Sequence, residues 1–167
     1  MKNIIRVSIV LVLVFLAGCT SPNITEQKEK TMVEKKDDAM MQKTGATGKL
    51  LAGTATEYRE FTKAEYDQAL QEGKTILLYF YANWCPLCKS EQKDTFAAFN
   101  EISNQNIIGF RVNYKDSDTD ADEEALAKEF GISYQHTKVI LKNGQRVLKA
   151  PDSWDKARYL EELQKVA

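Results

Sequence analysis

The chain has 167 residues, 43% of them hydrophobic and 28% charged, the profile of a globular protein with room for one domain and its core. Its 23 basic and 24 acidic side chains leave a net charge of -1, so the charge balance gives no reason to expect a nucleic acid as partner. Three cysteines are too few for a disulfide framework and have to be read one at a time.

Lys2 and Arg6 precede an apolar run from Val7 to Ala17 broken only by Ser8, the order of an export signal. The run is short for a membrane span. It ends in Leu16-Ala17-Gly18-Cys19, which resembles the lipobox of bacterial lipoproteins. The resemblance implies that residues 1–18 are a lipoprotein signal peptide and that Cys19 is lipidated as the first mature residue. A retained N-terminal anchor with a bystander cysteine is the alternative. Either reading places the domain outside the cytoplasm as a membrane-anchored protein, on the cell membrane or facing a periplasm. Residues 19–49, rich in Lys, Glu, Asp, Gln, Thr and Met and without an apolar face, read as a flexible polar tether. Thioethers suit Cu(I), but Met32, Met40 and Met41 form no tight repeat, and a linker is the simpler reading.

The folded domain is expected over residues 50–167. It opens with an extended segment from Leu50-Leu51 to Tyr58-Arg59-Glu60-Phe61. Thr62 to Glu65 has a capping-box pattern, and Tyr66, Ala69 and Leu70 follow at helical spacing up to Gly73. Thr75 to Tyr81 is short, apolar and aromatic, the pattern of a buried strand. It delivers Trp84-Cys85-Pro86-Leu87-Cys88 to a helix from about Pro86 to Asn100. A strand over Ile107 to Asn113 and a helix over Ala121 to Phe130 come next. Val139 to Leu141 and Arg146 to Leu148 flank Asn143-Gly144 as a β-hairpin, and a helix over Ser153 to Val166 closes the chain.

The order β-α-β-α-β-α-β-β-α predicts an α/β fold, a central mixed sheet flanked by helices on both faces. From about Phe61 to the C-terminus the chain resembles the thioredoxin family. The resemblance rests on Trp84-Cys85-Pro86-Leu87-Cys88-Lys89 after the strand, Phe130-Gly131-Ile132 before a loop, and Lys142-Asn143-Gly144-Gln145 in the hairpin turn. It implies a thioredoxin-like fold and a thiol–disulfide oxidoreductase that needs no cofactor, works as a monomer and acts on protein thiols and disulfides.

A C-x-x-C pair at a helix start puts the first sulfur at the positive end of the helix dipole, where its thiolate is favoured. Cys85 is therefore the expected nucleophile. Cys88, three residues on, is placed to resolve a mixed disulfide. Pro86 suits the first helical turn, and Trp84 would shield one side of the pair. A purely stabilising disulfide is the weaker alternative, since so short a loop removes little unfolded-state entropy.

Three features depart from the family pattern. The dipeptide Pro86-Leu87 replaces the usual Gly-Pro and is similar instead to glutaredoxins and DsbA-type oxidants, which leaves the direction of electron flow open. Tyr79 stands where the family has a buried acid. His136, the one histidine of the chain, falls where a cis-proline faces the dithiol. Two thiolates and an imidazole are also a donor set for Cu(I) or Zn, so Cys85, Cys88 and His136 define an alternative, a metallochaperone resembling the Sco-type copper proteins. His136 is otherwise an acid/base neighbour in thiol exchange, or a loop residue with no chemical role.

The acids from Asp116 to Glu124 alternate as in a calcium loop but lack its glycine and its late glutamate, so a helix-capping loop is expected. Arg111 could place charge near the dithiol, although an exposed strand arginine is the plainer expectation.

Overall fold

The structure, a computed structural model, describes residues 47–167. The expected signal peptide, Cys19 and the expected tether up to residue 46, with Met32, Met40 and Met41, lie outside the described residues. Gly48 and Lys49 are already bonded to the domain: the Gly48 N–H donates to Glu65 Oε2 at 2.6 Å, and the Lys49 carbonyl accepts from Glu60 N–H at 2.9 Å.

Among the described residues the chain forms β1 (Leu50–Ala52), β2 (Glu57–Glu60), α1 (Lys63–Gln71), β3 (Thr75–Tyr81), α2 (Pro86–Glu101), β4 (Ile107–Asn113), α3 (Ala121–Glu129), β5 (Thr137–Lys142), β6 (Gln145–Ala150) and α4 (Lys156–Val166). The strands make one sheet in the order β1-β2-β4-β3-β5-β6. β2, β4 and β3 run parallel, and β1, β5 and β6 pair antiparallel. This is the expected mixed α/β sheet, with two local differences. The opening extended segment is two strands turned about Gly53, whose φ of 81° and 1.9 Å clearance to the Thr56 carbonyl exclude a side chain. The last helix starts at Lys156 because Asp155 caps it, accepting from Arg158 N–H at 2.9 Å, which leaves Ser153 and Trp154 in a loop.

Every residue of β3 is buried, since it lies between β4 and β5 with a layer on each face. The period of two sends Leu77, Tyr79 and Tyr81 into one cluster with residues of α2 and α4, and Ile76, Leu78 and Phe80 into another with residues of α1 and α3. α2 lies close on the sheet because β4 offers Gly109. A Cβ there would come within 2.4 Å of Phe99 Cζ and 2.6 Å of Tyr58 Cδ2. Phe99 is fully buried at this contact, and truncating it to alanine would cost about 3–5 kcal/mol. In the hairpin, Asn143 and Gly144 both take positive φ, at 51° and 74°, as a tight two-residue turn requires.

Candidate active site

β3 ends at Tyr81, and three residues later the chain turns into α2. Cys85 is the N-cap in extended conformation, its Sγ accepting from Cys88 N–H at 3.2 Å, and Pro86 occupies the first turn where no N–H is needed. Cys85 and Cys88 are joined as a disulfide with their Cα atoms 5.3 Å apart. The helix dipole and the capping N–H favour a thiolate on Cys85 when the bond opens. Cys85 and Cys88 are 3% and 0% exposed, whereas Trp84 and Leu87 are 54% and 61% exposed, so the dithiol lies beneath an apolar rim.

The acidic loop holds that rim in place. Asn83 N–H donates to Asp116 Oδ2 at 2.7 Å, Asn83 Nδ2 reaches Ser117 Oγ at 2.9 Å, and Trp84 Nε1 donates to the Lys115 carbonyl at 3.0 Å. Asp120 and Glu123 form a full capping box at the start of α3. Asp116, Asp120 and Glu123 are thus spent on backbone and cap. Arg111 is half-buried, 2.7 Å from Glu60 and with its guanidinium 5.0 Å over the Tyr81 ring, and its charge is directed at Glu60.

His136 sits just before β5 with a φ of 74°, an uncommon conformation for a residue with a side chain. It is pinned there by its N–H to the Phe80 carbonyl at 2.6 Å and by Lys138 Nζ donating to its own carbonyl at 3.2 Å. Nδ1 of the ring is 3.2 Å from Tyr79 Oη. Nε2 is 2.8 Å from Ser153 Oγ and 3.0 Å from Glu91 Oε2. The line to Oε2 lacks hydrogen-bond alignment, so Ser153 is the hydrogen-bond partner and Glu91 a close carboxylate neighbour. Both ring nitrogens are therefore engaged, by Tyr79 and by Ser153. Among the described residues no three of His, Cys, Asp and Glu are gathered to hold a metal ion, and Cys85 and Cys88 are joined in their disulfide. To serve as a ligand, the ring would have to give up Tyr79 at Nδ1 or Ser153 at Nε2.

The structure adds two residues that the sequence reading passed over. Glu91, three residues after Cys88, shares the inward face of α2 with it and is 4% exposed. Its Oε1 lies 2.7 Å from Lys138 Nζ and accepts from Tyr159 Oη at 2.6 Å. Lys138 is fully buried, its Nζ also donating to the Asp152 carbonyl at 2.5 Å. Burial pushes the Glu91 carboxyl up, but His136, Lys138 and Tyr159 outweigh it and hold its pKa below the usual value. Burial pulls the Lys138 ammonium down, against the attraction of Glu91. Burial raises Tyr79 and Tyr159, with Glu91 adding to both, so both stay neutral and Tyr159 can donate to Glu91. Position 79 thus carries no acid, and a carboxylate from α2 takes up the interior beside it. The signal for this network was a lysine inside the apolar run Thr137 to Leu141, which requires a buried anion.

A family model described as Thioredoxin matches residues 57–166, and the chain belongs to the thioredoxin family. Within it the chain is 35% identical over 81 residues to the "Thiol:disulfide interchange protein DsbE" of Yersinia pestis, a match covering 48% of this chain and 41% of that protein. It is 33% identical over 89 residues to "Thioredoxin H4" of Arabidopsis thaliana, covering 51% and 66%. The first of these matches thus spans about two fifths of the relative's length. Among solved structures, a thioredoxin from Aeropyrum pernix superposes with a TM-score of 0.55 at 18% identity, over 74% of this chain and 97% of that one. Trxlp from Edwardsiella tarda gives 0.54 at 24% identity, over 64% and 97%, and both share the fold.

Proposed function

We propose that the protein is a membrane-tethered, extracytoplasmic thiol–disulfide oxidoreductase. The observation that carries this reading is the Cys85–Cys88 disulfide at the start of α2, with Cys85 Sγ on the capping N–H of Cys88. The thiolate of Cys85 attacks one sulfur of a partner disulfide, a mixed disulfide forms, and the other sulfur leaves as a thiolate. Cys88, having lost its proton, attacks Cys85 Sγ and releases the partner's second thiolate. Two electrons pass to the partner, the leaving thiolates take up protons, and the protein disulfide closes. The reverse sequence oxidises a partner dithiol. No cofactor enters these steps. Pro86 presets the first turn, Trp84 and Leu87 form the contact rim, and His136 positions the loop opposite the dithiol.

The export signal and Cys19 support the location. Replacing Cys19 by alanine is expected to release the protein from the membrane fraction; retention there would remove the lipid-anchor part of the reading. For the chemistry, the reduced protein is incubated with insulin. Cys85→Ser should abolish disulfide reduction and Cys88→Ser should accumulate a mixed disulfide. A reduced wild-type protein inert toward every model disulfide would overturn the proposal.

A further inference from the structure

We infer that His136 and Ser153 carry the proton of Cys88 out of the interior as the protein disulfide closes, acting through Glu91; this deepens the exchange reaction proposed above and rests on it. Cys88 is fully buried, so the proton it loses before attacking Cys85 has to cross protein to reach solvent. The base on its own helix is Glu91, one turn further along the inward face and held ionised by His136, Lys138 and Tyr159. Oε1 of that carboxylate is taken by Lys138 Nζ and Tyr159 Oη. Oε2 is buried without a hydrogen-bond partner and is the oxygen free to receive a proton.

A buried carboxylate that accepts a proton must give it up again, and the groups around it differ in what they can take. Lys138 spends its three N–H bonds on Glu91 Oε1, the Asp152 carbonyl and the His136 carbonyl, and an ammonium has no lone pair. Tyr159 already donates to Oε1, and burial keeps both it and Tyr79 neutral. Asp152 is paired with Arg158. His136 remains, with Nε2 3.0 Å from Glu91 Oε2 and 2.8 Å from Ser153 Oγ. An imidazole takes up and releases a proton near neutral pH. Tyr79 Oη, 3.2 Å from Nδ1, fixes the ring so that Nε2 stands between the carboxylate and the hydroxyl. The His136 ring is buried, whereas Ser153 is exposed and lines, with Glu91, a cleft of about 700 Å³ between α2 and α4. The positive φ of His136 is an outlier of the kind that collects at functional sites, and here it delivers the ring to this position.

The Cys88 S–H bond breaks with its electron pair left on Sγ. The proton passes to Glu91 Oε2, to His136 Nε2 and past Ser153 to water, the carboxylate and the ring holding it as a coupled pair. Cys88 Sγ attacks Cys85 Sγ, and the partner's thiolate leaves. One disulfide, one thiolate and one released proton thus replace the mixed disulfide and the thiol. When a partner dithiol is oxidised, a proton returns to Cys88 along the same path.

The test uses the reduced protein and dithiobis(nitrobenzoate), an aromatic disulfide that frees one coloured thiolate when Cys85 attacks it and a second when Cys88 resolves the mixed disulfide. His136→Gly removes the ring and accepts the positive φ, and Ser153→Val puts an apolar group at the mouth of the path. Each should lower the ratio of the second rate to the first by about tenfold. Free imidazole should restore the ratio in His136→Gly, and pyrazole, of equal size but not basic at neutral pH, should not. A ratio unchanged in either variant overturns the proposal. So does recovery with both rings or with neither, which would make His136 a support for the loop alone. Those outcomes leave the oxidoreductase reading standing, whereas a wild-type protein that releases neither thiolate removes that reading and the relay with it.

Discussion

Glu91 Oε1 and Lys138 Nζ stand 2.7 Å apart with side chains 3% and 0% exposed, an ion pair in the interior one helical turn behind Cys88. Such a pair is a weak source of stability as a whole, but removing one member strands the other. Glu91→Gln is expected to destabilise the protein by about 3–5 kcal/mol, read as a fall in the urea midpoint. Glu91→Gln combined with Lys138→Met should recover most of that loss. A double variant as unstable as the sum of the single ones would show that the two side chains do not act as a pair.

Proline at position 136 would not restore the family pattern here. The ring of proline fixes φ near -65° and removes the N–H, whereas His136 has a φ of 74° and donates to the Phe80 carbonyl. Glycine accepts that φ and keeps the N–H. Thermal unfolding of the two variants should therefore place His136→Pro below His136→Gly, by more than about 1 kcal/mol. The opposite order would mean that the positive φ is not a requirement of the fold.

Stability should rise as the pH falls from 7 toward 5. Burial, with Asp120 adding, pushes the Glu123 carboxyl from 4.5 up to about 7 against the N–H groups of Asn113 and Asp120. Between those values the folded state holds a proton that the unfolded chain has released, so lowering the pH favours folding. Glu91 has the opposite sign: its lowered pKa contributes stability above the unfolded value near 4.5, which is lost as the pH falls through its folded value. Urea midpoints across this range should peak near about pH 5, and Glu123→Gln should flatten the slope between pH 5 and 7. A wild-type slope unchanged by that substitution would refute the assignment to Glu123.

Asp116 bears on the reactive face without touching the sulfurs. Its Oδ2 accepts from Asn83 N–H at 2.7 Å, and Lys115 beside it holds Trp84. Asp116→Ala should cost about 1–3 kcal/mol, lower the rate of insulin reduction several-fold and increase the solvent quenching of Trp84 fluorescence. Trp154→Phe isolates that signal. Unchanged quenching would show that the loop does not hold the indole.

Much of this molecule was legible along the chain because its signals are short-range. The seven buried residues of β3, the proline after Cys85 and the Asn143-Gly144 turn each act on neighbours a few positions away. The opening strand pair was not legible, since β1 has three residues with mixed burial and offers no measurable period. The start of α4 at Lys156 was obscured by the apolar Trp154, which packs in the core from a loop.

By itself, the sequence determined the strand, the dithiol and the helix that receives it, because an apolar run and a helix cap are made by residues adjacent in the chain. Only the tertiary structure decided what surrounds the dithiol. Tyr79 meets His136 across 57 positions and Tyr159 meets Glu91 across 68, contacts that exist once β5 lies beside β3 and α4 beside α2. In the sequence Glu91 sits in the polar window Lys89 to Lys93, where nothing local marks it for burial. Burial made it the anion of the interior, since a lysine enclosed in β5 has to be neutralised there.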